Sequence, residues 1–203
     1  KIMASDDKNR WPPKPEEFLY IPNIIDYLRI VALVWALYGN ADKASADWHF
    51  VTWYTISYLL DAVDGVAARY FNQESKLGYY LDMVIDRFSS SLALYKAAYR
   101  VSNPLFHASL LACIVLVEVL AHAVVMYYGE VLRVHQKKMG GDFTIVRLYL
   151  NYKAGLAFGC ISYEAMLLAI IVAAPSWVVL LFAPGFVFRA VANCVRLWAC
   201  MVM

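Results

Sequence analysis

Four aspartates in one short stretch of the chain have the side chains and the spacing that divalent-metal chemistry requires. Asp61 and Asp64 are three residues apart, and Asp82 and Asp86 are four residues apart. On an α-helix these spacings place both members of each pair on one face. If two helices bring the pairs together, four carboxylates converge and repel one another strongly in a low-dielectric setting. One or two hard divalent cations with oxygen ligands would relieve that repulsion.

A polar segment between the two pairs allows the chain to turn back. Residues 72–76 read Asn-Gln-Glu-Ser-Lys, and Gly78 follows shortly after. Such residues are typical of turns and flexible links. The segment therefore predicts that the second helix folds back beside the first.

A network of structural ion pairs is the alternative interpretation of the four aspartates. The same stretch supplies only Arg69 and Lys76 as cationic partners. Because charged side chains inside a membrane are unfavourable and mostly mark functional sites, metal binding is the favoured interpretation.

The stretch also resembles a known family. From Asp61 to Asp86 it reads DxxDGxxAR, eight residues, then GxxxDxxxD, without a gap. This pattern resembles that of the CDP-alcohol phosphotransferases. The resemblance implies that Asp61, Asp64, Asp82 and Asp86 ligate two Mg²⁺ or Mn²⁺ ions, which suit all-oxygen ligands. It also implies that Asp86 acts as the general base on the incoming hydroxyl.

The resemblance further implies residues that bind CDP-diacylglycerol. Gly65 and Ala68 would leave room for the nucleotide, although small residues also serve close helix packing. Arg69 carries a planar fork of donors that suits a diphosphate, with snorkelling at the end of a span as the alternative. Asn23 and Arg29 resemble polar residues that line the nucleotide side, although six positions apart they need not share a helix face.

Beyond the fixed positions of this motif, the chain is similar in detail to eukaryotic phosphatidylinositol synthases. The similar segments are FLYIPNIIDYLRI, LLDAVDG, AARYFNQ, LDMVIDR and VRLYLNYK. The similarity implies transfer of a phosphatidyl group from CDP-diacylglycerol to myo-inositol, with release of CMP. Another CDP-alcohol phosphotransferase, such as a phosphatidylglycerolphosphate synthase, is the alternative within the class. A cation carrier that uses intramembrane acids is the alternative from a different class.

Four residues are candidates for the inositol site. Glu118 and His122, four apart on one helix face, either line the inositol pocket or satisfy each other within the bundle. Glu118 stands where the similar synthases usually have Asp. Arg147 and Lys153 could contact the diphosphate or the polyol, and lipid headgroups are their alternative partners.

The composition places these sites in a membrane protein. The chain has 203 residues, of which 62% are hydrophobic and only 17% are charged, too apolar for an ordinary soluble domain. We expect an all-α integral membrane protein with an exposed segment at 1–17, a catalytic domain at 18–203 and a basic loop at 133–153. Its six predicted spans are 24–38, 48–70, 78–99, 105–132, 154–173 and 177–203.

Charge and cysteine content limit the partners and the compartment. Most lysines and arginines fall on the side that carries the aspartates, so the positive-inside rule predicts a site that faces the cytosol. A net charge of +2 without a basic stripe argues against nucleic acid. The four cysteines lie in apolar stretches and indicate no disulfide framework. The family resemblance implies a homodimer, and we expect an endoplasmic reticulum or Golgi membrane.

Overall fold

The computed structural model describes residues 12–38, 43–100, 104–113, 119–131 and 143–202. Within these ranges the regular structure is helical and contains no strand. The helices form two compact units, Lys1–Ser89 and Ser90–Met203. A 3-10 helix, Pro15–Leu19, is followed by α1 (Ile21–Leu37), α2 (Lys43–Tyr70), α3 (Lys76–Arg100), α4 (Pro104–Cys113), α5 (Ala121–Val131), α6 (Thr144–Asn151), α7 (Lys153–Ile171) and α8 (Ser176–Val202).

Prolines start the first two helices. Pro15 begins the 3-10 helix and Pro22 lies in the first turn of α1, where a missing N–H leaves no helical hydrogen bond unmade. Glu17 is buried, and its Oε1 atom accepts a hydrogen bond from the Lys14 N–H at 3.2 Å. The prediction of an exposed segment at 1–17 is therefore wrong at Glu17, because this turn packs against α1. Residues 1–11 lie outside the described residues.

The core of the first unit lies where α1 packs on α2. Leu33 and Ala36 of α1 are almost fully buried, as are Phe50 and Tyr54 of α2. The rings of Phe50 and Tyr54 stack with their centroids 5.5 Å apart. Apolar burial of this kind holds the two helices in a fixed register.

The two faces of α1 are the reverse of those of a soluble helix. The buried face carries Asn23, Asp26 and Arg29. The exposed face carries large apolar side chains, namely Leu28, Val31, Val34 and Trp35. A helix with polar residues on its buried face and apolar residues on its exposed face is unfavourable in water. It is favourable when lipid covers the exposed face. This pattern supports association of the protein with a membrane.

The link between α2 and α3 is a tight turn, which confirms the predicted reversal. Asn72 adopts a φ of 54°, a left-handed conformation that asparagine tolerates. The Gln73 N–H donates to the Ala68 carbonyl at 2.9 Å, and the Asn72 N–H donates to the Arg69 carbonyl at 3.4 Å. These two bonds form a Schellman-type end to α2. The turn thereby brings the start of α3 back towards α2.

The sequence analysis placed Gly78 in the flexible link, but in the structure Gly78 lies inside α3. A Cβ atom on Gly78 would lie 2.7 Å from Oδ1 of Asn23, closer than side-chain contacts allow. Asn23 is fully buried, and its Nδ2 atom donates to the Glu17 carbonyl at 2.5 Å. Glycine at this position thus permits close approach of α1 and α3.

In the second unit α7 packs on α8, α6 packs on both, and α5 packs on α8. Among the described residues, two helical segments are long and apolar enough to cross a membrane, Ala154–Ile171 and Ser176–Ala199. They agree with the fifth and sixth predicted spans. The charged residues of α2 and α3 lower the hydropathy of those helices, and six spans stay a prediction.

One sequence prediction for the second unit is not tested, and another needs correction. Helices α4 and α5 both lie within the predicted fourth span, 105–132, and residues 114–118 between them lie outside the described residues, so this span stays a prediction. The predicted basic loop contains helix α6 at Thr144–Asn151. Val146 and Tyr149 of α6 are buried, whereas Arg147 is exposed. Val146 and Tyr149 are three residues apart, and this apolar spacing favours a helix more than the nearby charges favour a loop.

The approach of α1 to α3 gives a stability prediction. We expect Gly78→Ala to lower the free energy of unfolding by about 1–3 kcal/mol, because the added methyl group overpacks against Asn23. Denaturation in detergent micelles measures the change. In an Asn23→Ala background the same substitution should cost much less.

Gly65→Ala is the matched control, since a Cβ there would meet its nearest atom, Nη1 of Arg69, at an ordinary 3.5 Å. If Gly78→Ala is as stable as the parent protein, the close packing described for α1 and α3 is wrong.

Candidate metal centre

The four predicted aspartates converge in the first unit. Carboxylate oxygens of Asp61, Asp82 and Asp86 lie within 4.8 Å of one another, and we call this set the Asp61 triad. Those of Asp26, Asp64 and Asp82 also lie within 4.8 Å of one another, and we call this set the Asp26 triad. Asp82 belongs to both. Ligand oxygens about 2.1 Å from an octahedral ion are separated by roughly 3–4 Å, so each triad is of the right size for one cation.

Asp26 is a member of the cluster that the sequence analysis did not include. It lies on α1, outside the motif, and its side chain is buried. The sequence did contain an indication of this role. Asp26 lies in an apolar segment three residues before Arg29, and charged residues are unusual in such a segment. The spacing within the motif could not show that α1 contributes a fifth carboxylate.

Arg29 lies at the centre of the five carboxylates, with its side chain 2% exposed. Its Nη1 atom is 2.9 Å from one oxygen of each member of the Asp26 triad, namely Asp26 Oδ1, Asp64 Oδ2 and Asp82 Oδ1. Its Nη2 atom is 2.5 Å from Asp61 Oδ1 and 2.6 Å from Asp86 Oδ1. The motif stretch itself supplies only Arg69 and Lys76, and the structure adds a cation from α1 that the spacing within that stretch did not indicate.

The structure separates the roles of the two α1 residues that the sequence assigns to the nucleotide. Arg29 contacts the acids, as described above. Asn23 lies six residues earlier, fully buried between the 3-10 helix and Gly78. Asn23 thus positions the start of α1, and a contact with nucleotide stays a prediction for both residues.

The other nucleotide candidates share one segment of α2. Gly65 directly follows Asp64, and the exposed Arg69 lies one turn further along the helix, with its guanidinium near Gly65. Ala68 is half-buried. Next to the acids, α2 therefore combines small side chains with an exposed guanidinium, an arrangement that suits a bound diphosphate.

The inositol candidates belong to the second unit. His122 is buried in the first turn of α5, and Arg147 is exposed on α6. Lys153 is the first residue of α7. Glu118 lies outside the described residues. Their roles in binding a polyol stay predictions.

A buried polar group in the second unit was not predicted from the sequence. Glu164 Oε1 accepts a hydrogen bond from Ser90 Oγ at 3.0 Å and lies 3.5 Å from Nη1 of Arg189. The guanidinium carbon of Arg189 lies 3.8 Å from the centroid of the Tyr163 ring. These contacts satisfy the charges of α7 and α8 away from water.

Comparison with protein families identifies the class of protein to which this chain belongs. Residues 19–202 match the model of the CDP-alcohol phosphatidyltransferases. The chain belongs to this family. It is therefore an enzyme of the phosphotransferase class, and the four motif acids lie within the matched region.

Curated relatives carry a more specific name. A protein of Arabidopsis thaliana named CDP-diacylglycerol–inositol 3-phosphatidyltransferase 1 is 34% identical over 179 residues, 85% of this chain and 73% of the relative. The Candida albicans protein of that activity name is 33% identical over 189 residues, 89% of this chain and 79% of the relative. The Drosophila melanogaster protein is 36% identical over 144 residues, 70% of this chain and 60% of the relative. No solved structure matches the chain.

The donors of the cluster fit the divalent ions that this family generally uses. All of the grouped donors are carboxylate oxygens, the ligands preferred by hard cations such as Mg²⁺ and Mn²⁺. The position of the Arg29 guanidinium shows that the centre of the cluster accommodates positive charge. The residues present therefore suit a metal centre.

The shared position of Asp82 gives a prediction for metal binding. We expect Asp82→Asn to weaken Mn²⁺ binding at both triads, whereas Asp61→Asn should weaken it at one. Electron paramagnetic resonance of free Mn²⁺ during a titration counts the bound ions. Asp47→Asn, an acid outside both triads, is the control. Equal effects of Asp82→Asn and Asp47→Asn would contradict the assignment.

Proposed function

We propose that this protein is a phosphatidylinositol synthase, which transfers the phosphatidyl group of CDP-diacylglycerol to myo-inositol and releases CMP. The observation that carries the proposal is the convergence of the motif acids of α2 and α3, together with Asp26 of α1, into two triads. The names of the relatives, which match most of this chain, supply the substrates. Transfer of a phosphatidyl group from a diphosphate requires neutralisation of charge on that diphosphate, for which such a cluster is suited.

Asp61, Asp64, Asp82 and Asp86 would hold two divalent ions. When bound, Mg²⁺ or Mn²⁺ neutralises the diphosphate and stabilises the charge on the leaving oxygen. The carboxylates fix the positions of these charges before the substrate arrives, so little reorganisation is needed during the reaction.

Asp86 is the proposed general base. Its side chain is 29% exposed, so a water-soluble polyol can reach it. Asp61 and Asp82 are exposed to a similar extent, and the position of Asp86 at the end of the motif is what assigns the role to it. Asp86 takes the proton from an inositol hydroxyl as that oxygen bonds to the lipid-side phosphorus. The bond from this phosphorus to the bridging oxygen breaks, and CMP leaves.

Binding of CDP-diacylglycerol is assigned to the segment of α2 that follows the first pair of acids. Gly65 and Ala68 would leave space for the nucleotide, and Arg69 would donate hydrogen bonds to the diphosphate. Asn23 and Arg29 remain proposed contributors from α1. The exposed apolar face of α1 offers a surface along which lipid chains reach the site.

The remaining assignments concern the acceptor and the cellular setting. Glu118, His122, Arg147 and Lys153 are proposed to bind inositol. The protein would cross the membrane six times as a homodimer of the endoplasmic reticulum or Golgi, with its site facing the cytosol. A site at that boundary is reachable by both a lipid and a soluble polyol.

The acceptor is tested with purified protein, CDP-diacylglycerol and a panel of labelled alcohols. We expect label from myo-inositol, and not from glycerol 3-phosphate or serine, to enter lipid with stoichiometric release of CMP. EDTA should stop the reaction and Mg²⁺ or Mn²⁺ should restore it. Asp86→Asn should slow it by about 10²- to 10⁴-fold. Preferred incorporation of glycerol 3-phosphate would identify a phosphatidylglycerolphosphate synthase instead.

The nucleotide assignment is tested with Gly65→Ala. The added methyl group fits the ligand-free protein, since its nearest neighbour would lie 3.5 Å away. It would nevertheless fill space that the nucleotide needs, so we expect the KM for CDP-diacylglycerol to rise about tenfold. The KM for myo-inositol should change little.

Val66→Ala, at the exposed neighbouring position, is the control for that experiment. An unchanged KM for CDP-diacylglycerol in Gly65→Ala would remove this part of α2 from the nucleotide site.

A further inference from the structure

The guanidinium of Arg29 occupies both positions of the acid cluster that could hold an ion. Nη1 contacts all three members of the Asp26 triad, and Nη2 contacts two members of the Asp61 triad. The two terminal nitrogens therefore divide between the two triads. One side chain supplies a donor to each position where the donor set suits a divalent cation.

Arg29 in this position excludes divalent ions. The nitrogens lie 2.5–2.9 Å from the carboxylate oxygens, so they fill the space among them. An ion such as Mg²⁺ needs the same oxygens at about 2.0–2.1 Å. A guanidinium and a divalent ion among the same oxygens would also repel one another strongly at this depth. Binding of ions thus requires the guanidinium to leave the motif acids.

Asp26 is the carboxylate with which Arg29 can stay paired after its guanidinium leaves the four motif acids. The two residues are three apart on α1, and their side chains are joined at 2.9 Å. This pair can persist without any movement of α2 or α3. Because Asp26 offsets the charge of Arg29, four carboxylates remain, and two divalent ions match their charge.

We propose that Arg29 is an exchangeable internal cation, which holds the carboxylates together in the metal-free protein and withdraws towards Asp26 when divalent ions enter. This inference rests on the proposed metal centre. Arg29 stabilises the metal-free cluster against repulsion among the acids, and it competes with the ions for the same oxygens. Asp26 is a positioning residue, which keeps the guanidinium beside the cluster.

The test compares Arg29→Met and Arg29→Lys with the parent protein in lipid nanodiscs. Methionine removes the charge, and lysine replaces two nitrogens with a single ammonium group. The protein is stripped of metal with EDTA, the chelator is removed, and free Mn²⁺ is followed by electron paramagnetic resonance during titration. Thermal unfolding is recorded without metal and at saturating Mn²⁺.

We expect Arg29→Met to bind Mn²⁺ about tenfold more tightly or better, since a competing cation is gone. Without metal, its unfolding midpoint temperature should be lower than that of the parent protein. Adding Mn²⁺ should raise this temperature by more than it does in the parent protein. Arg29→Lys should show the same changes to a smaller extent. If Arg29→Met does not fold, Arg29→Lys decides the question by the direction of its Mn²⁺ affinity.

Arg87→Met is the matched control. Arg87 lies beside the cluster, but its Nη2 atom is 3.7 Å from Asp86 Oδ2, whereas Nη2 of Arg29 is 2.6 Å from Asp86 Oδ1. We expect its Mn²⁺ affinity to change by less than about threefold, as for a peripheral ion pair.

Two outcomes would overturn the inference and are distinguishable from each other. Mn²⁺ binding that is unchanged or weaker in both Arg29 variants would show that Arg29 does not compete with the ions, while the metal centre stands. Absence of Mn²⁺ binding in the parent protein and in every variant would remove the metal centre itself, and with it the mechanism proposed above.

Discussion

Repulsion among buried carboxylates is the constraint on which the first unit depends. Five aspartates from three helices lie around one guanidinium, and several of their oxygens are within 4.8 Å of one another. Such a group is stable only while cations offset its charge, because removing one partner leaves uncompensated charge in a low-dielectric site. The structure shows Arg29 in this role, and the donor set suits divalent ions in the same role.

The local structure of the first unit serves to maintain that cluster. The Schellman-type end of α2 at Asn72 reverses the chain, so that acids eighteen or more residues apart along the sequence, such as Asp64 and Asp82, can meet. Gly78 permits α1 to approach α3, and the burial of Leu33 and Ala36 holds α1 against α2. The inner face of α1 is polar at Asn23, Asp26 and Arg29 and apolar at Leu33 and Ala36, while its outer face is apolar, as a helix in lipid requires.

The sequence predicted those features that follow from spacing within one segment. The two aspartate pairs, the turn between them and the approximate limits of α1, α2, α3, α7 and α8 all follow from short-range patterns. Contacts between distant segments could not be predicted in that way. Asp26 and Arg29 lie more than thirty residues before Asp61, and no spacing rule shows that α1 faces the motif. Helix α6 was missed because the charges of the whole segment 133–153 indicated a loop.

The central claim is that the motif acids exchange an internal guanidinium for divalent ions at the site of phosphatidyl transfer. Anomalous scattering from crystals grown with Mn²⁺ and CDP-diacylglycerol tests it most directly. Two manganese peaks among Asp61, Asp64, Asp82 and Asp86, with the diphosphate beside them and Asp26 as the one carboxylate that Arg29 still contacts, are the expected result. A map without peaks there, in which Arg29 still contacts all five carboxylates while the diphosphate is bound, would contradict it.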